Sequence, residues 1–115
     1  MTLVNSEQER RARNEALFRE VNERVEEVAS RLSALEDGSE LTGFVCECSR
    51  ETCAELVEIT YAQYEAIRSD ARRFLVCLGH EDLTVDRVVE RHPTFLIVEK
   101  FGEASEVAIE RDPRS

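Results

Sequence analysis

No run of this sequence is apolar for long enough to cross a membrane, and tryptophan is missing altogether. The first 13 residues, M-T-L-V-N-S-E-Q-E-R-R-A-R, lack the apolar centre of a secretory leader. The four glycines are scattered through the chain, so no phosphate-cradling loop is built from them. There is no G-x-S-x-G elbow and no H-E-x-x-H helix, and His80-Glu81-Asp82 does not supply the H-x-E of a zinc deaminase. Lysine occurs once among 15 basic residues. That bias reports a GC-rich genome and not chemistry. Excess positive charge is also lacking. The net charge is -10, and neither residues 1–38 nor residues 39–115 are basic. Non-specific DNA or RNA binding needs cations to meet phosphates, and an anionic bilayer would repel this chain. A basic or polar protein partner fits the charge better.

What remains is a 115-residue chain, 42% hydrophobic and 35% charged. That length suits one small domain, of the size that gains from a metal staple. Without an export signal, the expected compartment is a bacterial-type cytoplasm with thiols kept reduced.

Residues 6–36 read as one long amphipathic helix, and residues 1–38 as an N-terminal helical unit. Phe18, Val21, Val25, Val28, Leu32 and Leu35 recur at alternating steps of three and four, a heptad stripe. Glutamates precede arginines at i,i+4, as in Glu15–Arg19, Glu20–Arg24 and Glu27–Arg31, each pair worth about 0.2–0.5 kcal/mol on a helix surface. Ser6 with Glu9 reads as a capping box, and Asp37-Gly38 as the stop. About thirty helical residues span roughly 45 Å. That exceeds a domain of residues 39–115, so the stripe is expected either to pair with a second copy or another protein, or to pack on its own sheet.

After Gly43 the period changes. Residues 44–48 and 55–59 read as strands around a turn at 49–53. Thr60 with Gln63 forms a second capping box, opening a short helix through Arg68 with Tyr61, Tyr64 and Ile67 on one face. Residues 73–78 read as a strand closed by Gly79-His80, and 86–91 with 95–100 as a hairpin, although Val85, Val88 and Val89 also fit one helical turn. Residues 105–109 read as an edge strand and 112–115 as a frayed end. The expected fold is α+β: a long N-terminal helix, then a small, mostly antiparallel sheet with one short helix, clamped by zinc.

The zinc expectation rests on F-V-C-E-C-S-R-E-T-C, residues 44–53, with three cysteines in eight residues. Side chains two apart on a strand share a face, which aims Cys46 and Cys48 at one ion. Cys53 follows where the chain doubles back. Zn²⁺ takes four ligands in a tetrahedron, commonly three cysteines and a histidine. His80, placed after a glycine at a strand end, is the favoured fourth ligand. Its neighbour Glu81 or Asp82 is expected to orient the ring. Cys77 is the rival, but it sits in the apolar run F-L-V-C-L, where cysteine is more often core. Disulfides fit poorly with a reduced compartment. Arg50 either donates to sulfur or is an ordinary surface residue. His92, before Pro93 in a turn, reads as solvated.

From about Asn14 to Lys100 the chain resembles a group of small uncharacterised bacterial proteins. The resembling pieces are N-E-A-L-F-R-E-V-N-E at 14–23, F-V-C-E-C with Cys53, Y-E-A-I-R at 64–68, Phe74, Gly79-His80, V-V-E at 88–90 and V-E-K at 98–100. The resemblance implies that Cys46, Cys48, Cys53 and His80 are the recurrent set and that Cys77 is not. It brings no activity with it. Cys46-Glu47-Cys48 with Cys77-Leu78-Gly79-His80 is also similar, in part, to the C-x-C…C-x-x-C zinc switch of redox-regulated chaperones, with His80 in place of the last cysteine. The expected function is therefore a non-enzymatic adaptor or regulatory module with a structural zinc. A thiol redox sensor and, less favoured, a metal-dependent enzyme are the alternatives.

Overall fold

The computed structural model describes residues 3–33, 40–50 and 52–114, with the backbone alone at residues 3–9 and 33. Helix α1 spans Leu3–Ser33. It is followed by β1 (Thr42–Val45), β2 (Leu56–Ile59), α2 (Tyr61–Arg68), β3 (Arg73–Cys77), β4 (Asp86–Arg91), β5 (Phe95–Lys100) and α3 (Glu103–Glu110). β1 and β2 form a two-stranded antiparallel sheet. The other three strands form a second antiparallel sheet in the order β3-β5-β4. The α+β expectation holds.

Strand β5 is buried along its whole length, because both faces of its sheet are covered. Period two divides its side chains. Phe95 and Ile97, with Leu75 of β3, face Phe44, Val57 and Ile59 of the small sheet and Tyr64 and Ile67 of α2. Leu96 and Val98, with Phe74 and Val76, face the opposite way, onto Ala108 of α3 and the sulfurs of Cys46 and Cys48. A strand covered on both sides reads as a continuous apolar run, and F-L-I-V does. The Thr60–Gln63 capping box is present, with the Thr60 side chain accepting from the Gln63 N–H and the Gln63 side chain accepting from the Thr60 N–H. Residues 85–89 do not form a helical turn: Asp86–Arg91 is strand, with an irregularity between Val88 and Glu90.

Four local expectations are corrected. Helix α1 is already under way at Leu3, so Ser6 lies inside it and not at its cap; Asp37-Gly38 falls outside the described residues. Residues 105–109 are helical, in α3. Gly102, with φ +63°, turns the chain off β5, and Ala104, Val107 and Ala108 then follow an i, i+3, i+4 pattern. A second short helix thus joins the one foreseen. The C-terminal residues are tied down: Asp112 pairs with Arg68, and Arg114 reaches Glu23 at 2.7 Å and Glu65 at 2.9 Å. The heptad stripe of α1, expected either to meet a partner or to pack on its own sheet, lies mostly outside the core. Among the helix's described side chains, the buried ones are Arg19, Asn22 and Ala29, on a line beside the stripe. Val21, Val28 and Leu32 are exposed, as is Leu17. Phe18 is half-buried, Val25 packs on the core cluster, and Leu35 lies outside the described residues. Glu15 and Arg19 do not pair on the helix surface. Glu15 meets Lys100 at 2.5 Å, and Arg19 donates to the carbonyls of Ala71 and Ala108.

Candidate metal centre

The segment after β1 changes partners. The Cys46 N–H donates to the Glu55 carbonyl, continuing the β1–β2 pairing, and the Glu47 N–H donates to the Leu75 carbonyl of β3 at 2.7 Å. The chain therefore stays extended through C-E-C and bridges the two sheets. Its alternation sends Cys46 and Cys48 to one side and Glu47 to the other.

On the cysteine side, one ligand atom from each of Cys46, Cys48, Cys53 and His80 lies within 4.8 Å of all the others. These four side chains are close enough to hold a metal ion. His80 Nδ1 is 3.6 Å from both Cys46 Sγ and Cys53 Sγ. A tetrahedron with Zn–S near 2.3 Å and Zn–N near 2.05 Å has S···N edges of about 3.6 Å. The two separations from His80 Nδ1 match that edge. Cys46 and Cys48 are buried, while Cys53 and His80 are half-buried.

Local backbone features aim each donor. Gly79 takes φ +82°, a left-handed turn that glycine adopts readily, and presents His80 at the end of β3. The far ring nitrogen, Nε2, is 3.0 Å from Glu55 Oε2. A proton on Nε2 donated there leaves the Nδ1 lone pair directed at the sulfurs, the partner a ligating histidine needs. The orienting carboxylate is thus Glu55, at the start of the returning chain. The expectation of Glu81 or Asp82 is corrected; Asp82 instead accepts from Thr84 and pairs with Arg11. Cys77 is outside the group of four donors. Its backbone N–H donates to Cys46 Sγ at 3.2 Å. Such an amide donor offsets the charge of a thiolate. The backbone of Arg50 acts in the same sense on Cys48 and that of Glu55 on Cys53, favouring their thiolates. The exposed Arg50 side chain donates to the Gly79 carbonyl at 3.2 Å and so staples the cysteine loop to the histidine loop. A hydrogen bond with Cys46 and then burial push the Cys48 thiol well above its usual range; burial leads in raising Cys53.

On the other side, Glu47 is fully buried. Its carboxylate accepts from Tyr64 O–H at 2.6 Å, Asn22 Nδ2 at 2.8 Å and Leu75 N–H at 3.0 Å. Burial raises its pKa, and those three donors oppose the rise. Asn22 also accepts from the Val45 N–H and donates to the Val45 carbonyl, both at 2.7 Å, pairing with β1 as a neighbouring strand would. The residue between the two cysteines therefore fixes them to α1, α2 and β3 at once. Glu47, Asn22, Tyr64 and Glu55 were not singled out as site residues from the sequence. The available signal was Glu47 itself, an acid placed by alternation on the core side of C-E-C. His92 stacks on Phe95 and meets Glu90 at 2.9 Å, away from the donor group.

The donors and their supports define an α+β protein with a Cys₃His group. The chain matches no family model, no curated protein and no solved structure. Among the described residues, no helix is long and apolar enough to cross a membrane.

Proposed function

We propose that the chain is a small cytoplasmic protein in which Cys46, Cys48, Cys53 and His80 hold a structural Zn²⁺, and that it acts as a non-enzymatic adaptor or regulatory module. The observation carrying this reading is the 3.6 Å spacing of His80 Nδ1 from two sulfurs within a four-donor group. Three sulfurs and one imidazole are the donors zinc favours, and four protein ligands fill its tetrahedron. A catalytic zinc keeps one position for water. Here the ion would tie the 46–53 loop to the end of β3, across the gap between two small sheets. In such sites metal binding and folding share one free energy. Elemental analysis of the purified chain tests the reading: one zinc per chain, lost in Cys48→Ser and His80→Ala together with folding stability.

For the interaction role, the support is the exposed stripe of α1. At 100° per residue, Leu17, Val21, Val28 and Leu32 fall within about 60° of arc, and all four are exposed. A protein partner or a second copy would cover that stripe. Sedimentation at rising concentration, alone and with Val28→Glu, separates the two: self-association abolished by the substitution identifies the second copy.

A redox-sensing role rests on the half-exposure of Cys53 beside buried thiols. Two ligating thiolates would give an electron pair to hydrogen peroxide, which with two protons leaves as two waters. The S–S bond formed no longer holds the ion. Zinc release under mild peroxide is the expected signal, and a site that keeps its metal while other accessible thiols oxidise excludes the role.

A further inference from the structure

A cavity of about 370 Å³ lies between α1, α3 and the end of β5. Its origin is legible in the helices. Ala12 and Ala16 of α1 and Ala104 and Ala108 of α3 line it as two i,i+4 pairs. Methyl groups stand where packed helices usually interdigitate larger side chains, so space is left between them. The volume falls in the range of small-molecule sites, about 300–1,000 Å³.

The lining is chemically uneven. The Phe74 ring lies within it, with the Arg19 guanidinium 4.2 Å and the Lys100 ammonium 5.0 Å from its centroid. Lys100 is already held by Glu15 and Asp86. Arg19 differs. It is 1% exposed, its two terminal nitrogens have partners, and its Nε has none among the described residues. A buried charged donor without a partner is costly, so an acceptor atom belongs beside it. Exposed Arg11 and Arg111 also line the cavity, where a ligand entering from solvent would meet them. With Arg19 and Lys100 they make four cations against the carboxylates of Glu15, Asp82 and Glu103, a lining with one net positive charge in a chain of net charge -10.

We propose that this cavity binds a small organic monoanion, a carboxylate on a compact apolar body. The carboxylate accepts from Arg19 Nε–H and is steered by Arg11 and Arg111. The apolar body lies against Phe74, Val107 and the four alanine methyls. A polyanion is disfavoured by the three carboxylates in the same wall. Ser49, next to Cys48, and Asp82, two residues past His80, also line the cavity. An occupant therefore adjoins both loops that carry the metal donors.

The test is a ¹⁵N NMR titration of the full chain with benzoate and hexanoate. Benzyl alcohol serves as the uncharged counterpart and inorganic phosphate as the anion without an apolar body. The expected result is saturable movement of the amides of Ala12, Ala16, Ala104 and Ala108 with at least one carboxylate. Benzyl alcohol and phosphate should bind at least about tenfold more weakly, the factor one lost charge-assisted contact gives. Ala104→Leu fills the cavity and should abolish binding while the melting temperature holds or rises. The proposal is overturned if neither carboxylate gives a saturable response. It is equally overturned if benzyl alcohol or phosphate matches the carboxylates, or if Ala104→Leu binds like the parent.

Discussion

Asn22→Leu removes the clamp that holds the C-E-C segment to α1, at nearly constant side-chain volume. Three hydrogen bonds are lost: two with the Val45 backbone at 2.7 Å and one to the buried Glu47 carboxylate at 2.8 Å. The neutral pair is worth about 1 kcal/mol each and the charged one about 1.5–3 kcal/mol. Added apolar burial by leucine returns about 1–2 kcal/mol. The net expected loss is about 2–4 kcal/mol, a melting shift of about 8–16 °C for a chain of this length. Equilibrium urea denaturation at fixed free zinc measures it. Because Glu47 sits between two donor cysteines, the same variant should also bind zinc more weakly, read by competition with a chromophoric chelator. A loss below about 1 kcal/mol, with unchanged zinc affinity, would refute the reasoning. Glu47 would then be a bystander and the cysteines would be placed by the sheet alone.

Further expectations follow from the same contacts. The only lysine, Lys100, is 2% exposed and bonded to Glu15 and Asp86. Lys100→Met should cost about 3–5 kcal/mol by stranding two carboxylates, and an amine-reactive ester should acylate Lys100 only after denaturation. Burial alone would raise the Asp112 carboxyl, but the Arg114 N–H and Arg68 hold it below the usual carboxylate range. A depressed carboxylate stabilises above its unfolded pKa and loses that contribution as pH falls through the folded one. The melting-temperature advantage of the parent over Asp112→Asn should therefore be full at neutral pH and shrink below about pH 4. Cys77→Ser leaves the four donors in place and should keep the parent's metal content, whereas Cys53→Ser should lose it; equal loss in both would restore Cys77 as a ligand.

Legibility in the sequence followed the range of the interaction. The α2 cap is written within four residues, and the β4–β5 hairpin within fifteen, so both could be read from spacing. The Cys₃ cluster is local too. His80 had to be brought in from 34 residues beyond Cys46, and the glycine before it supplied the cue. Features set by long-range pairing were hidden. The apolar stripe of α1 fitted either a partner or the chain's own sheet, yet the helix buries Arg19, Asn22 and Ala29 instead, with Glu15 half-buried on the same line. Those polar side chains find partners on Lys100, Ala71, Ala108, Val45 and Glu47, residues no local pattern could name. Glu15–Arg19 fits a surface ion pair by spacing, and only the tertiary fold redirects both inward. Helix α3 was mistaken for a strand because eight residues with one short apolar run fit either period. Gly102, with φ +63°, turns the chain off β5 at the point where this helix starts.

The central claim is most directly tested by elemental analysis of the full chain, purified without added metal or affinity resin that leaches it. One equivalent of zinc per chain is the expected result, released as the protein unfolds in strong chelator and reduced to background in Cys48→Ser. A chain that is stably folded without zinc, or that keeps its metal after Cys48→Ser, contradicts the account.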